Sequence, residues 1–99
     1  NMLRIFLLTL GALPLLAQSL TLSGRVLDAN RLPVDGASVA YTRTGQRPVY
    51  AQTDNEGRYR LESLSLGAGT IRILKPGFAE LQQSVNLRTS QEDLDFTLS

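Results

Sequence analysis

The sequence predicts an all-β fold, an antiparallel β-sandwich of about seven short strands preceded by a signal-peptide helix. From Leu20 onward, apolar residues recur with a period of two, which is the period of a strand. Segments rich in Gly, Pro, Asn and Asp interrupt the alternation at fairly regular spacing. No amphipathic helical pattern follows Leu20. Alternation of this kind places the apolar side chains between two sheets and the polar ones in water.

Residues 1–19 are predicted to be a secretory signal peptide. Arg4 supplies a positive charge ahead of an apolar run from Ile5 to Leu16, and small residues follow at Ala17 and Ser19. The run is shorter than the roughly 18 to 20 apolar residues of a membrane-spanning helix. An uncleaved anchor is the alternative, and cleavage could follow Ala17 or Ser19. We therefore expect export to the periplasm, the outer membrane or the extracellular space, with residues 20–99 as the folded domain.

Composition excludes several classes of function. The chain has ten basic and nine acidic residues, and removing Arg4 with the signal peptide leaves the charge balanced. Balanced charge gives no argument for binding nucleic acid, and the membrane is expected to matter only through the signal peptide or a downstream barrel. The chain has no Cys, so no disulfide can stabilise this small domain. The apolar core must therefore stabilise the domain by itself, and a core enclosed by two sheets does so better than one open sheet.

The strands follow from the alternation in chain order. Leu20, Leu22 and Val26 share one face of the first strand, with Gly24 between them. The further strands are predicted at residues 37–42, 49–53, 58–62, 70–75, 78–87 and 94–98. Residues 63–69 are predicted to form a longer connection. Tyr59, Phe78 and Phe96 are expected to fill the core.

The segment Thr53–Leu61 predicts a β-hairpin. Its Asp-Asn-Glu-Gly sequence is typical of a tight turn, and alternating residues lie on both sides. In this prediction residues 49–53 pair directly with residues 58–62.

Several short motifs occur in a fixed order along the chain, and together they resemble the carboxypeptidase regulatory-like domain family. The resemblance covers residues 20–99 and implies a transthyretin-like, or prealbumin-like, sandwich of about seven strands. The motifs are Gly24-Arg25-Val26-Leu27-Asp28, Pro33-Val34-Asp35-Gly36-Ala37-Ser38-Val39, Thr53-Asp54-x-x-Gly57-x-Tyr59-x-Leu61, Gly67, and Lys75-Pro76-Gly77-Phe78.

The motif residues also have physical roles of their own. Gly36 and Gly57 stand where a tight turn needs a positive φ. Asp28, Asp35 and Asp54 can accept hydrogen bonds from the backbone of their own turns.

One segment departs from the family pattern. Members usually carry a Pro-Pro-Gly-x-aromatic run before the fifth strand, whereas this chain has Ser65-Leu66-Gly67-Ala68-Gly69. We expect a looser loop there, and a core that lacks one ring unless Leu64 or Leu66 fills the space.

The residues offer little chemistry, so no catalytic, cofactor-binding or metal-binding residue is assigned. Without His or Cys, the usual zinc ligands, His-based triads and thiol nucleophiles are missing. The transthyretin relatives that hydrolyse hydroxyisourate depend on histidines and a C-terminal Tyr-Arg-Gly-Ser, which this chain lacks. Asp54 and Glu56 could suggest calcium, but the twelfth position of such a loop is Ser65, so we interpret them as turn residues.

The remaining carboxylates can be interpreted as ordinary polar surface residues or as catalytic groups. Two carboxylates could act together as a catalytic acid and base, but nothing in the sequence places two of them in one cleft. The candidate carboxylates are Glu62, Glu80, Glu92, Asp93 and Asp95.

The aromatic and arginine side chains allow a binding surface. Tyr50 is expected to be exposed and could stack on a sugar, whereas Tyr41 is expected in the core. A further expectation puts three arginines, Arg58, Arg60 and Arg72, on one outer sheet face, balanced by Glu56 and Glu62.

The leading hypothesis is a non-catalytic accessory module with a protein partner and no cofactor. Relatives of this kind often follow the signal peptide of TonB-dependent outer-membrane receptors, ahead of plug and barrel, and a similar domain follows the peptidase in metallocarboxypeptidases. The alternative is a carbohydrate-binding or adhesin-type module, and an enzyme is disfavoured. Strand addition at a free sheet edge is a further hypothesis, with Pro48 and arginine-rich strands protecting one edge.

Overall fold

The structure is a computed structural model that describes residues 19–99, so the predicted signal peptide lies outside the described residues except for Ser19. The described part consists of seven strands joined by turns. Their bounds are β1 Leu20–Leu27, β2 Ser38–Thr42, β3 Val49–Gln52, β4 Arg58–Leu64, β5 Gly67–Leu74, β6 Leu81–Leu87 and β7 Phe96–Thr97. Across residues 19–99, the structure has no helix long and apolar enough to cross a membrane.

The strands form two sheets, which confirms the predicted sandwich. One sheet has three strands in the order β4-β1-β7, and the other has four in the order β3-β2-β5-β6. All pairs are antiparallel except β1 and β7, which run parallel. The chain before β7 already follows β1, since the Leu94 amide donates to the Ser23 carbonyl at 3.0 Å. The sandwich is therefore antiparallel with one parallel edge.

The core lies between the sheets, where the alternation predicted it. Leu22 and Val26 of β1 face Val39 of β2 and Ile71 and Ile73 of β5, and all five are fully buried. Fully burying one such side chain contributes about 1.5–3 kcal/mol. The Tyr59 and Phe96 rings also meet in the core, with centroids 6.1 Å apart. Phe78 is half-buried at the margin.

The predicted hairpin at Thr53–Leu61 is wrong, although its turn is present. The Gly57 amide donates to the Asp54 carbonyl at 2.9 Å, and Gly57 has a φ of 77°. However, β3 pairs with β2 and β4 pairs with β1, so the two strands belong to different sheets. Thr53 fixes this divergence, because its hydroxyl donates to the Val34 carbonyl at 2.7 Å and accepts from the Ala37 amide at 2.8 Å. The turn therefore carries the chain from one sheet to the other.

The predicted looser loop near Gly67 is also wrong. β4 extends to Leu64 and β5 begins at Gly67, so the connection between them is short. Leu64 fills the core at 2% exposure, whereas Leu66 is 49% exposed. The Tyr41 ring lies against Gly69, where a Cβ would overlap the ring and hydroxyl. A tyrosine from the neighbouring strand thus packs against Gly69 without a proline-rich loop.

Two strand boundaries also differ from the prediction. β6 begins at Leu81 and not at Phe78, because the Phe78 amide closes a turn on the Lys75 carbonyl at 3.1 Å. β7 contains only Phe96 and Thr97, although its neighbour Leu98 is buried as expected.

Candidate interaction face

Two arginines lie directly opposite each other on the outer surface of the three-stranded sheet. Leu22 and Val26 point into the core, so Ser23 and Arg25 of β1 point outward. In the pairing of β1 with β4, Arg25 is opposite Arg58 and Ser23 is opposite Arg60. We call Ser23, Arg25, Arg58 and Arg60 the arginine face. Like charges directly opposite on a sheet destabilise it.

Acidic neighbours compensate this charge only in part. Arg60 Nε lies 3.2 Å from Glu62 Oε2, and Arg58 Nε lies 4.0 Å from Glu56 Oε1. Glu56 and Glu62 thus pair with Arg58 and Arg60, as the prediction for these two arginines stated. Both pairs are well exposed, so each is worth little.

Arg25 has a different environment. Its Nε donates to the Glu56 carbonyl at 3.4 Å. Within residues 19–99, no carboxylate lies within salt-bridge distance of its guanidinium. The Asp95 carboxylate instead accepts from the Arg25 backbone amide, at 2.8 Å. The Arg25 guanidinium is therefore available to an external carboxylate.

An open surface concavity of about 700 Å³ lies over the arginine face. Its lining includes all four residues of the face together with Gln52, Asp54 and Asp93. The planar guanidinium fork binds carboxylates in a bidentate manner, and Gln52 and Ser23 add neutral hydrogen-bonding groups. Three guanidinium groups against the carboxylates of Asp54 and Asp93 leave this lining with an excess of positive charge, which suits a ligand that carries a carboxylate.

Asp54 positions the start of β4, as turn chemistry predicts. Its Oδ1 accepts from the amides of Arg58 and Glu56, both at 2.9 Å. These bonds, the one from Arg58 foremost, hold the pKa of the Asp54 carboxyl below its usual range. Asp28 caps its turn in the same way, accepting from the Asn30 and Leu32 amides. Across residues 19–99, acidic side chains form no group of three that could hold a metal ion.

The predicted grouping of Arg58, Arg60 and Arg72 is wrong. Arg72 lies on β5 in the four-stranded sheet, whereas Arg58 and Arg60 lie on β4 in the other. The third arginine beside Arg58 and Arg60 on this sheet is Arg25, which the sequence prediction did not include. The alternation in the first strand already indicated that Arg25 points outward. However, its neighbours on the sheet become known only from the pairing of β1 with β4.

The four-stranded sheet presents a second polar surface. One row across it contains Tyr50, Ala40, Arg72 and Gln82, which are successive cross-strand partners. We call these four residues the tyrosine row. Tyr50 is 69% exposed, as predicted. Arg72 Nη2 lies 3.0 Å from Glu80 Oε1, and this contact holds the pKa of Glu80 below its usual range. Glu62 lies on β4 of the three-stranded sheet, whereas Glu80 directly precedes β6 of the other sheet, so the two do not form an acid–base pair.

Two buried tyrosines differ in how their hydroxyls are satisfied. Tyr59 Oη donates to the Leu94 carbonyl at 2.6 Å, and burial raises its pKa strongly, with the Asp95 charge adding to the effect. Tyr41 is buried as expected, but its hydroxyl has no hydrogen-bond partner within residues 19–99. Burial raises the pKa of Tyr41 as well, opposed by nearby Arg43.

A protein-family comparison matches residues 21–99 to the carboxypeptidase regulatory-like domain. The chain belongs to the carboxypeptidase regulatory-like domain family. The family explains the order of the motifs, and the structure supplies their physical roles, with Gly36 and Gly57 both at positive φ. No match was found among curated proteins.

Solved structures share the fold of this family member. A DUF3823 family protein from Parabacteroides merdae has a TM-score of 0.65 at 14% identity, covering 84% of this chain and 47% of that one. Catechol 1,2-dioxygenase from Pseudomonas arvilla also scores 0.65, at 18% identity, with 82% and 52% covered. A cohesin–X-dockerin complex from Acetivibrio cellulolyticus scores 0.62 at 19% identity, with 80% and 56% covered. The chain thus spans about half the length of these structures, and the similarity concerns the fold alone.

Proposed function

We propose that this chain is a non-catalytic interaction module of an exported protein, and that it binds an acidic segment of a protein partner on the arginine face. The observation that carries the proposal is the position of Arg25 directly opposite Arg58. Such a like-charged pair is unfavourable by some tenths of a kcal/mol in the free domain. A bound carboxylate would convert that repulsion into two charge-assisted contacts.

The chemistry of the remaining side chains supports a non-catalytic role. The chain contains no His and no Cys. Asp54 and Glu80 have lowered pKa values, the opposite of what a general acid needs near neutral pH. Their carboxylates hold a turn and an arginine in place.

The parent protein that we propose is a TonB-dependent receptor, with this domain near its N-terminus. The apolar segment at residues 5–16 and the family membership of residues 21–99 support this arrangement. Sequencing the gene beyond Ser99 tests it. A reading frame that continues into plug and barrel sequence agrees with the proposal, whereas a stop codon directly after Ser99 contradicts it.

Binding to a defined acidic peptide tests the arginine face itself. Fluorescence anisotropy with a labelled Asp/Glu-rich peptide should show saturable binding that weakens as salt is raised. The double variant Arg25→Gln/Arg58→Gln should bind about tenfold more weakly, because it loses two charge-assisted contacts. Arg72→Gln, on the other sheet, is the matched control and should bind like the wild type. Equal losses in both variants would contradict a specific arginine face.

The second candidate function is carbohydrate binding on the tyrosine row. It is favoured by the exposed Tyr50 ring in line with the hydrogen-bonding groups of Arg72 and Gln82. A ring of this kind can stack on a sugar while polar neighbours contact its hydroxyls. Glycan-array or affinity-gel binding that disappears in Tyr50→Ala would support this function. Retention that is unchanged in Tyr50→Ala would exclude it.

A further inference from the structure

The two sheets end in four edges, and they differ in how well they are protected. The β4 edge carries Arg58, Arg60 and Glu62, and β7 is only two residues long. β3 has four residues and directly follows Pro48. Charges, short strands and prolines all discourage the pairing of an edge with another chain. Three edges are therefore guarded.

The fourth edge, β6, has none of these features. Its sequence, Leu81-Gln82-Gln83-Ser84-Val85-Asn86-Leu87, contains no charge and no proline. It pairs with β5 from Leu81 to Leu87 without a register shift, so it is regular over its whole length. Within residues 19–99, no strand lies on its other side. Half of its backbone groups are therefore free for an added strand.

We propose that β6 pairs antiparallel with β6 of a second copy of this chain. The two four-stranded sheets would then join into one continuous sheet across a two-fold axis at Ser84. This inference is independent of the arginine face, which lies on the other sheet.

The side chains of β6 are complementary to themselves in this arrangement. Pairing centred on Ser84 places Leu81 opposite Leu87 and Gln82 opposite Asn86 of the second copy. Gln83 then lies opposite Val85, and Ser84 lies opposite itself. The leucines meet on the inner face and the amides meet on the outer one, while no like charges come together. A two-fold interface requires this kind of self-complementarity.

The strand also selects a single register. A shift of one residue would bring inner-facing side chains opposite outer-facing ones. A shift of two residues would leave strand ends unpaired and would separate both pairs of Leu81 with Leu87. Leu81 and Val85 are only half-buried in the single copy, so continuing the sheet would cover more of their surface.

Sedimentation equilibrium of the purified protein tests the proposal. One strand pair buries less than a standard interface of about 1,600 Å², so concentrations up to about 1 mM are needed. The wild type should dimerise as concentration rises. Ser84→Lys alone and Ser84→Glu alone should remain monomeric, because each places like charges opposite one another. An equimolar mixture of the two should recover the dimer, which also shows that both variants are folded.

Ser38→Lys is the matched control, since Ser38 is exposed on the outer face of the same sheet but lies on the interior strand β2. It should dimerise like the wild type. A wild type that is monomeric throughout, a dimer that survives Ser84→Lys, or a mixture that stays monomeric would each overturn the proposal. A monomer whose β6 amides gain protection only with a foreign extended peptide would overturn it in favour of a different partner.

Discussion

The three-stranded and four-stranded sheets of this sandwich are stabilised and exposed in different ways. The three-stranded sheet is irregular, with a register shift between Leu20 and Leu22 and a two-residue parallel strand. Contacts to a loop hold it, including the bond from the Tyr59 hydroxyl to the Leu94 carbonyl. The four-stranded sheet consists of antiparallel pairs without a register shift. One sheet therefore depends on specific contacts and the other on its regular ladder.

The outer faces and edges of the two sheets also differ. The irregular sheet carries the arginine face, and its edges are charged or short. The regular sheet carries the tyrosine row and ends at the neutral strand β6. The comparison teaches that charge concentrates on the outer face of one sheet, whereas the other sheet ends in an edge strand without charge.

The largest expected difference concerns one glycine in each sheet. A Cβ at Gly24 would overlap the backbone of Leu94, so Gly24→Ala must push the final segment away from β1. We expect a loss of about 3 kcal/mol in the free energy of unfolding, or failure to fold. A Cβ at Gly69 would overlap the Tyr41 side chain, which can move. Gly69→Ala should cost less, about 1–2 kcal/mol. Urea unfolding of both variants measures the contrast, and equal losses would contradict it.

A smaller difference is expected between the two buried tyrosines. Tyr59→Phe removes a satisfied hydroxyl and should cost about 1 kcal/mol. Tyr41→Phe removes a buried hydroxyl without a partner and should be neutral or stabilising within about 0.5 kcal/mol. Chemical denaturation near neutral pH measures both effects. A larger loss for Tyr41→Phe than for Tyr59→Phe would contradict the difference between the sheets.

The raised pKa of Tyr59 adds a dependence on alkaline pH. The folded state favours the neutral phenol, so this contribution is complete below the ordinary tyrosine pKa of about 10 and is lost as pH rises above it. The stability of Tyr59→Phe should therefore fall less steeply above pH 10 than that of the wild type. Parallel slopes would contradict the role of Tyr59.

The smallest effect is expected at the turn between the sheets. Because the pKa of Asp54 is lowered in the folded state, its contribution is present above the usual Asp range and is lost as pH falls through the lowered value. Asp54→Asn should lower the melting temperature slightly at neutral pH and flatten its decline in acid. Thermal unfolding at several pH values measures this change. A melting curve with an unchanged acid dependence would contradict the role of the Asp54 bonds.

Most strands and their inner faces could be predicted from the sequence, because alternation reports which side chains are buried. Strand partners could not be predicted at Thr53–Leu61, since a tight turn has the same sequence whether its strands pair or separate into two sheets. Alternation also says nothing about Gly69, where the ring of Tyr41 from the neighbouring strand packs in place of the missing family motif.

The arginine face and the β6 edge depend on pairing, so the sequence showed neither of them. Arg25 and Arg58 are 33 positions apart and become neighbours only when β1 pairs with β4. The neutrality of β6 was visible in the sequence, but its position at the end of a sheet was not.

The central claim, that the arginine face is the binding surface of this domain, is tested most directly by an NMR titration. The isotope-labelled protein is titrated with the acidic peptide, and shifts of backbone amides are mapped onto the two sheets. The account predicts that the largest shifts occur at Ser23, Arg25, Arg58 and Arg60 and disappear in Arg25→Gln/Arg58→Gln. Shifts that centre on Tyr50 and Gln82, or that persist in the double variant, would contradict it.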